Sequence, residues 1–253
     1  MQKLEKQFHI HCVEGDVGRY VILPGDPGRC EKIAALFDDA HFVSQNREYT
    51  IYTGTLLGEK VSVCSTGIGG PSASIAMEEL HNIGADTFLR VGTCGGVDGA
   101  VLGGDVVVAT AAVRQEGTSR EYLPLEYPAA ASYPVVRALA DACETLGYRT
   151  HVGVVQSKDS FYGEIRPQCQ PIAADLKEKW TAWTAAGVLA SEMEAAALFT
   201  AGAALHVRVG AVLNVLWNDD SEQPDVPEGA AARGIQAAVS ALCMLIEQDK
   251  QKA

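Results

Sequence analysis

Two arginines beside glycine turns, and two glutamates inside an apolar run, are the residues through which this sequence could do chemistry. The first turn, "LPGDPGR" (23–29), ends on Arg29. Asp26 suits the N-cap of a helix, Pro27 its first turn, and Gly25 and Gly28 let backbone come close to a ligand. A helix start of this kind collects anions through its free N–H groups, so the segment reads either as an anion site or as an ordinary capped turn with a solvated arginine. The stretch "CSTGIGGPSAS" (64–74) repeats the pattern, with Pro71 opening the helix. In "TFLRVGT" (87–93) Arg90 lies within an apolar run just before Thr93. A buried guanidinium needs a partner, and its fixed fork of donors suits a phosphate oxyanion or an internal carboxylate; both readings stand.

The glutamates are Glu192 and Glu194 in "GVLASEMEAAALFTAGAAL" (187–205), where small and apolar neighbours predict deep packing. Carboxylates there are costly unless they find hydrogen-bond donors. Glu194, at the start of an alanine-rich helix, could cap it and favour its dipole. Capping accounts for one acid better than for two, and a polyol substrate would supply donors for the second.

Other chemistries find little support. There is no GxxxxGK[ST], and "GIGGPS" reaches only G-x-G-x-x-S, which makes a Rossmann dehydrogenase a weak rival. HExxH is absent, and His9 and His11 have no third ligand at metal-site spacing, so no catalytic transition metal is expected.

These residues are carried by short apolar runs alternating with helix-like segments, "RYVILPG" then "CEKIAALF", "KVSVCSTG" then "PSASIAMEELHNIGA", and onward through "TFLRVGT", "GDVVVATA", "HVGVVQS" and "HVRVGAVLNVLW". That order predicts an α/β fold with a parallel or mixed sheet flanked by helices. A closing helix over about 228–247 shows Ile235, Ala238, Val239, Leu242, Leu245 and Ile246 at a spacing that lays one stripe against the sheet, and the tail "EQDKQKA" reads as frayed. Two stretches break the alternation, 121–134 and 217–231, each long enough to be a functional or lid-like loop.

Length and composition set the frame. At 253 residues and 47% hydrophobic content one domain over 1–253 is expected. A formal charge of -12 opposes a nucleic-acid partner. No run approaches the roughly 18 apolar residues of a membrane span, and the N-terminus lacks a signal-peptide h-region, so a cytoplasmic protein is expected. Seven scattered cysteines without a CxxC pair suit reduced thiols.

Taken together and in order, "GDPGR", "REY", "CSTGIGGPS", "LRVGT", "DSFYGEIR" and "SEMEAAAL" resemble the nucleoside phosphorylase family, closest to its uridine phosphorylase branch, from about Phe8 to the last helix. The resemblance implies a three-layer α/β/α sandwich around a twisted, mixed, partly barrel-like sheet, assembled as a hexamer of dimers whose sites are completed by neighbours. It implies phosphate-dependent, reversible cleavage of a nucleoside to ribose 1-phosphate and free base, with phosphate as co-substrate and no cofactor. Position by position, Gly25, Arg29, Arg90 and Thr93 match the phosphate site, and Arg47 the arginine lent by a neighbour. Met193 and Glu194 match the ribose site, with His9 reaching the 5′-hydroxyl across the interface. Phe161 and Arg166 match the base pocket, Arg166 taking up negative charge on the departing base. Glu48, Ile68 and Ser72 match positions that in some members hold a monovalent cation such as K+ between subunits.

Two departures stand out. Where the uridine branch usually has Gln, two residues before the base-reading arginine, this chain has Glu164, in a stretch one residue shorter. Glutamine both accepts from uracil N3–H and donates to the neighbouring carbonyl, whereas an ionised glutamate only accepts; the missing donor is expected from a protonated Glu164, its pKa raised by desolvation. On that reading Glu164→Gln maintains or raises activity on uridine. The second departure is "WNDD", which sets Asp219 where hexameric purine nucleoside phosphorylases carry the acid that protonates purine N7. Glu164 and Asp219 thus motivate a purine or broad-specificity alternative to uridine. A hydrolytic nucleosidase has no need of Arg29, Arg47 and Arg90, and a non-catalytic nucleoside-binding protein has no need to keep the phosphate arginines with Glu194.

Overall fold

The computed structural model of the chain describes residues 6–218 and 229–252. Its strands are β1 (Tyr20–Pro24), β2 (Asp38–Asn46), β3 (Tyr49–Leu56), β4 (Glu59–Cys64), β5 (Thr87–Gly96), β6 (Val106–Gln115), β7 (Ala129–Ala130), β8 (Thr150–Lys158), β9 (Ala190–Glu192) and β10 (Arg208–Trp217). The helices are α1 (Cys30–Ala34), α2 (Gly70–Asn82), α3 (Thr118–Tyr122), α4 (Tyr133–Thr145), α5 (Phe161–Ile165), α6 (Ala173–Ala185), α7 (Ala195–Leu205) and α8 (Arg233–Lys250).

The sheet is mixed and partly closed. Strand β5 pairs along most of its length with β10 and, on its other side, first with β1 and then, at Gly95 and Gly96, with β9. The ring β5, β9, β8, β6, β10 therefore returns to β5, and β1, β4, β3 and β2 extend from it as an open flange. Two local features lie where the ring closes. Gly96 packs so tightly that a Cβ there would sit 2.7 Å from the Val101 carbonyl oxygen, and β10 shifts register between Val215 and Trp217. Strands β1, β5 and β10 are buried on both faces along most of their length, which is why they read as continuous apolar runs rather than alternating ones. One core packs α2 and α7 on one face; the other packs α1, α4 and α8 on the opposite face, giving three layers.

Two expectations about the periphery are corrected by specific side chains. The 121–134 stretch is not a free lid. The Arg114 guanidinium donates to the carbonyls of Pro124 at 2.5 Å, Tyr127 at 2.6 Å, Leu123 at 2.6 Å and Ser119 at 2.8 Å, so the loop is wrapped around one cation. Nor is the C-terminal tail frayed at Glu247, because α8 runs on to Lys250. Asp249 accepts from both terminal nitrogens of Arg208, at 3.0 and 2.6 Å, and from the Tyr20 hydroxyl at 2.8 Å.

Burial alone would push the Asp249 carboxyl up, but the bonds from Arg208 and Tyr20 outweigh it and hold it below its ordinary value. A depressed carboxylate stabilises the fold above its unfolded pKa and loses that stabilisation as the pH falls through the folded one. Asp249→Asn is thus expected to cost about 1–2 kcal/mol at neutral pH. In thermal melts the gap to the unmodified protein should close below about pH 4.

Candidate active site

The carboxyl ends of the parallel strands β1, β4, β5 and β10 lie on one side of the sheet, the place where open α/β sheets bind ligands, and β8 and β9, which run the opposite way, bring Lys158 and Glu192 to the same cavity. A cavity of about 660 Å³ opens there, lined among others by Gly25, Arg29, Arg90, Thr93, Met193 and Glu194. Six residues matched from sequence to phosphate and ribose are thereby brought together from three separate segments.

The cationic corner is assembled by backbone first. Asp26 caps the turn after β1, its Oδ1 accepting from the Gly28 N–H at 2.9 Å, and Pro27 stands in the first turn. The loops after β1 and β4 are stitched together by Thr66 N–H to Pro24 O and Gly67 N–H to Gly25 O, both 2.9 Å. Gly25 has to be small. A Cβ there would lie 3.2 Å from Gly67 O and 3.3 Å from Arg90 Nη2. The capped turn and the cavity wall are thus one object. Burial pulls the Arg29 guanidinium below its ordinary value; Asp26 opposes that pull and Arg90 adds to it. Two cations crowded into one partly dehydrated corner are suited to a multiply charged oxyanion.

Arg90, 5% exposed, does have an internal carboxylate: Nη2 lies 2.5 Å from Glu194 Oε2, while Nη1 donates to Thr66 Oγ1 at 2.9 Å. Its Nε is buried without a hydrogen-bond partner among the described residues. The other Glu194 oxygen accepts from the Gly69 N–H at 2.7 Å, at the start of α2. Glu194 therefore occupies a helix N-terminus and an arginine at once while lining the cavity. The capping expected of it is done by Glu192, whose carboxylate accepts from the backbone N–H groups of Glu194 and Ala195 at 2.8 to 3.0 Å and from the Ser157 hydroxyl. Burial, then the nearby Glu194, push the Glu192 carboxyl up from its ordinary value, against the pull of Ser157, the Glu194 N–H and Arg90. The two acids divide the work: Glu192 holds α7, and Glu194 faces the ligand space.

A second chamber of about 490 Å³ adjoins the first, with Lys158 and Trp217 lining both. Its outer wall is α6, which buries none of its residues and presents Leu176, Trp180 and Trp183. Glu164 lines this chamber, but not as the desolvated, unpaired acid expected from sequence. Lys158 Nζ lies 2.7 Å from its Oε2, and Ser191 Oγ 2.5 Å from the same oxygen. A lysine thus stands beside the carboxylate that replaces glutamine.

Of the other predicted residues, Phe161 and Ile68 line the first cavity and the rest of those described do not. Phe161 lines the first cavity and meets Trp217 edge-on at 6.3 Å. Arg166 does not line it; the side chain is exposed and its guanidinium lies 5.2 Å over the Tyr162 ring. Arg47 sits at positive φ in the β2–β3 turn and, with Phe8, His11 and Asn46, lines a separate shallow depression. His9 is fixed by Glu79, whose carboxylate takes its Nδ1 at 2.7 Å and its backbone N–H at 2.8 Å. Glu48 and Ser72 both flank Gly67, and the Ser72 hydroxyl donates to Ile68 O at 3.3 Å. Asp219 lies outside the described residues. Sequence reasoning missed Lys158, Thr66 and Ser191. The one signal for Lys158 was a lysine directly after the apolar run "VGVVQS", where a surface strand end was the simpler reading.

Comparison with known proteins adds three findings. A family model described as the phosphorylase superfamily matches residues 19–248. A uridine phosphorylase of Treponema pallidum is 50% identical over 97% of this chain and 96% of its own length, and one of Thermococcus kodakarensis is 43% identical over 97% and 89%. A guanosine phosphorylase of Halorubrum lacusprofundi is 40% identical over 96% of this chain and all of its own.

Proposed function

The chain belongs to the phosphorylase superfamily, and from that premise we propose that it cleaves uridine with inorganic phosphate, reversibly, to ribose 1-phosphate and uracil. The observation that carries this reading is the contact of Arg90 with Glu194 in one cavity beside Arg29 and Thr93. A nucleosidase would have no use for that cationic corner.

Arg29, Arg90, Thr93 and the backbone at Gly25 hold the phosphate, and one of its oxygens forms a bond to C1′ as the C1′–N bond breaks with its electron pair going to the base. Positive charge grows on the sugar as this happens. The phosphate and the Glu194 carboxylate, in a site largely shielded from water, stabilise that charge, and Met193 packs against the ribose. Phe161 offers the base an aromatic edge.

The same reading makes the protein a homo-oligomer, a hexamer built from dimers, with Arg47 and His9 serving a neighbour's site. Neither residue is among those lining its own cavity, which supports this, as do two large apolar side chains left open on the surface, Phe8 at 71% and Ile68 at 79%. Glu48, Ile68 and Ser72 would offer a carboxylate, a carbonyl and a hydroxyl to a K+ ion at that interface, hard oxygen donors of the kind such a cation takes. Seven free cysteines support a reducing, cytoplasmic setting, and cleavage of uridine would give the protein a role in pyrimidine salvage.

Incubation with uridine and phosphate, followed by ultraviolet detection of uracil, tests the function; absence of phosphate-dependent uracil release sinks it. Guanosine is the second reading, favoured by Glu164 and by the Halorubrum relative, and comparing uridine, thymidine, inosine and guanosine at fixed phosphate separates the two. Arg29→Ala should raise the KM for phosphate about tenfold to a hundredfold, the worth of a charge-assisted bond. The KM for the nucleoside should move by less than about threefold.

A further inference from the structure

The Lys158 side chain ends β8 with 8% of its surface exposed, between the two chambers. An ammonium carries three donors. One goes to Glu164 Oε2 at 2.7 Å and one to Ser191 Oγ at 2.6 Å, so the third is unassigned within the described residues. On Glu164, Oε2 takes Lys158 and lies 2.5 Å from Ser191 Oγ, whose single proton also faces Gln156 Oε1, while Glu164 Oε1 has no hydrogen bond among the described residues. The pair thus keeps one N–H donor and one carboxylate acceptor in reserve, side by side, where the apolar and aromatic walls of the chambers begin.

We infer that Lys158 and Glu164 together read the edge of the leaving base, and that the substrates are nucleosides whose base carries a carbonyl next to a ring N–H. The inference rests on the phosphorolysis reading for its reaction, though not for its recognition. Lys158 donates to the carbonyl oxygen and Glu164 Oε1 accepts from the neighbouring N–H. Uracil presents that edge, and so do the 6-oxopurines. Cytosine and adenine present an amino group beside a bare ring nitrogen, which sets donor against donor and acceptor against acceptor. The selection is by edge rather than by ring size.

The same ammonium has a part in bond breaking. As C1′–N breaks, the electron pair passes to the base and spreads onto the carbonyl oxygen, where the cation meets it; the base leaves as its anion and takes a proton from water. Lys158 would then fill the role that the resemblance gave to Arg166, which lies on the surface over Tyr162. Glutamine at 164 would not maintain activity on this account, because Lys158 would lose the anion that orients it.

The decisive measurements use Lys158→Met, Glu164→Gln and the apolar double variant K158M/E164M. Equilibrium dialysis of uridine and guanosine against cytidine and adenosine, without phosphate, reads the edge with no turnover. The unmodified protein should prefer the oxo bases, and Glu164→Gln should reduce that preference at least about tenfold. In phosphorolysis, Lys158→Met should lower kcat about a hundredfold or more while the KM for phosphate changes less than about threefold. The double variant, which leaves no unpaired charge, should melt near the unmodified protein yet lose the preference, separating recognition from a merely structural ion pair. A base preference unchanged in Glu164→Gln and in the double variant overturns the proposal. Oxo-base binding that responds to these changes without any phosphorolysis would instead sink the enzymatic reading and leave this one standing.

Discussion

Glu194→Gln is expected to lower kcat by about a hundredfold to a thousandfold in steady-state phosphorolysis, the range for removing one preorganised electrostatic partner of a transition state. Glutamine keeps the volume and can still accept from the Gly69 N–H, so the loop before α2 retains its anchor. What it lacks is the charge facing the sugar as C1′ becomes cationic. The phosphate side should respond in the opposite sense. Arg90 Nη2 is held at 2.5 Å by Glu194, an internal anion that competes with a bound oxyanion for the same guanidinium. With that charge removed, the KM for phosphate should stay level or fall, which no general loss of structure would produce. A fall in kcat of less than about tenfold would remove Glu194 from the chemistry; a KM for phosphate raised more than about tenfold would assign it to positioning Arg90 instead.

The division between Glu192 and Glu194 shows what sequence could and could not supply. That two acids in an apolar run needed donors was legible from burial cost alone. Which of them caps α7 was not, since it depends on β9 pairing with β5 and β8 to aim one carboxylate at the helix and the other at the cavity. Arg90 and the "GDPGR" turn carried a similar ambiguity: in the fold the arginine has its internal carboxylate and the turn has its cap, and both also line the cavity where an anion is proposed to bind. Lys158 stayed hidden because its partners are set by strand pairing. Ser191 is 33 residues away and arrives through the parallel β8–β9 register, while Glu164 comes back through α5. Barrel closure likewise rests on β5–β10 pairing, a contact between residues about 120 apart that no local period encodes and that only the resemblance implied. The periphery went wrong for one reason in two places: a single arginine, Arg114 or Arg208, gathers a segment whose composition reads as loose.

Arg90→Met is expected to be the most damaging single change to both stability and activity. It removes a cation that the fold has already dehydrated and leaves Glu194, 4% exposed, as a buried carboxylate beside the Gly69 N–H alone. Breaking a buried pair from one side costs about 3–5 kcal/mol, enough to lower the melting temperature by roughly 10 °C in a chain of this size. Activity should fall at least about a thousandfold, because the phosphate loses its central ligand as well. The double variant R90M/E194M separates the two losses. Replacing both partners by apolar side chains of similar volume relieves the unpaired charge, so stability should return to within about 1 kcal/mol of the unmodified protein. Activity should not return at all. A double variant as unstable as Arg90→Met would place the strain in packing around Thr66 and Gly25 rather than in the charge; one that regained phosphorolysis would show that neither residue meets the reacting atoms. Stability that recovers without activity is the signature of a pair retained for what it does to the ligand, against the simpler course of filling the same space with methionine.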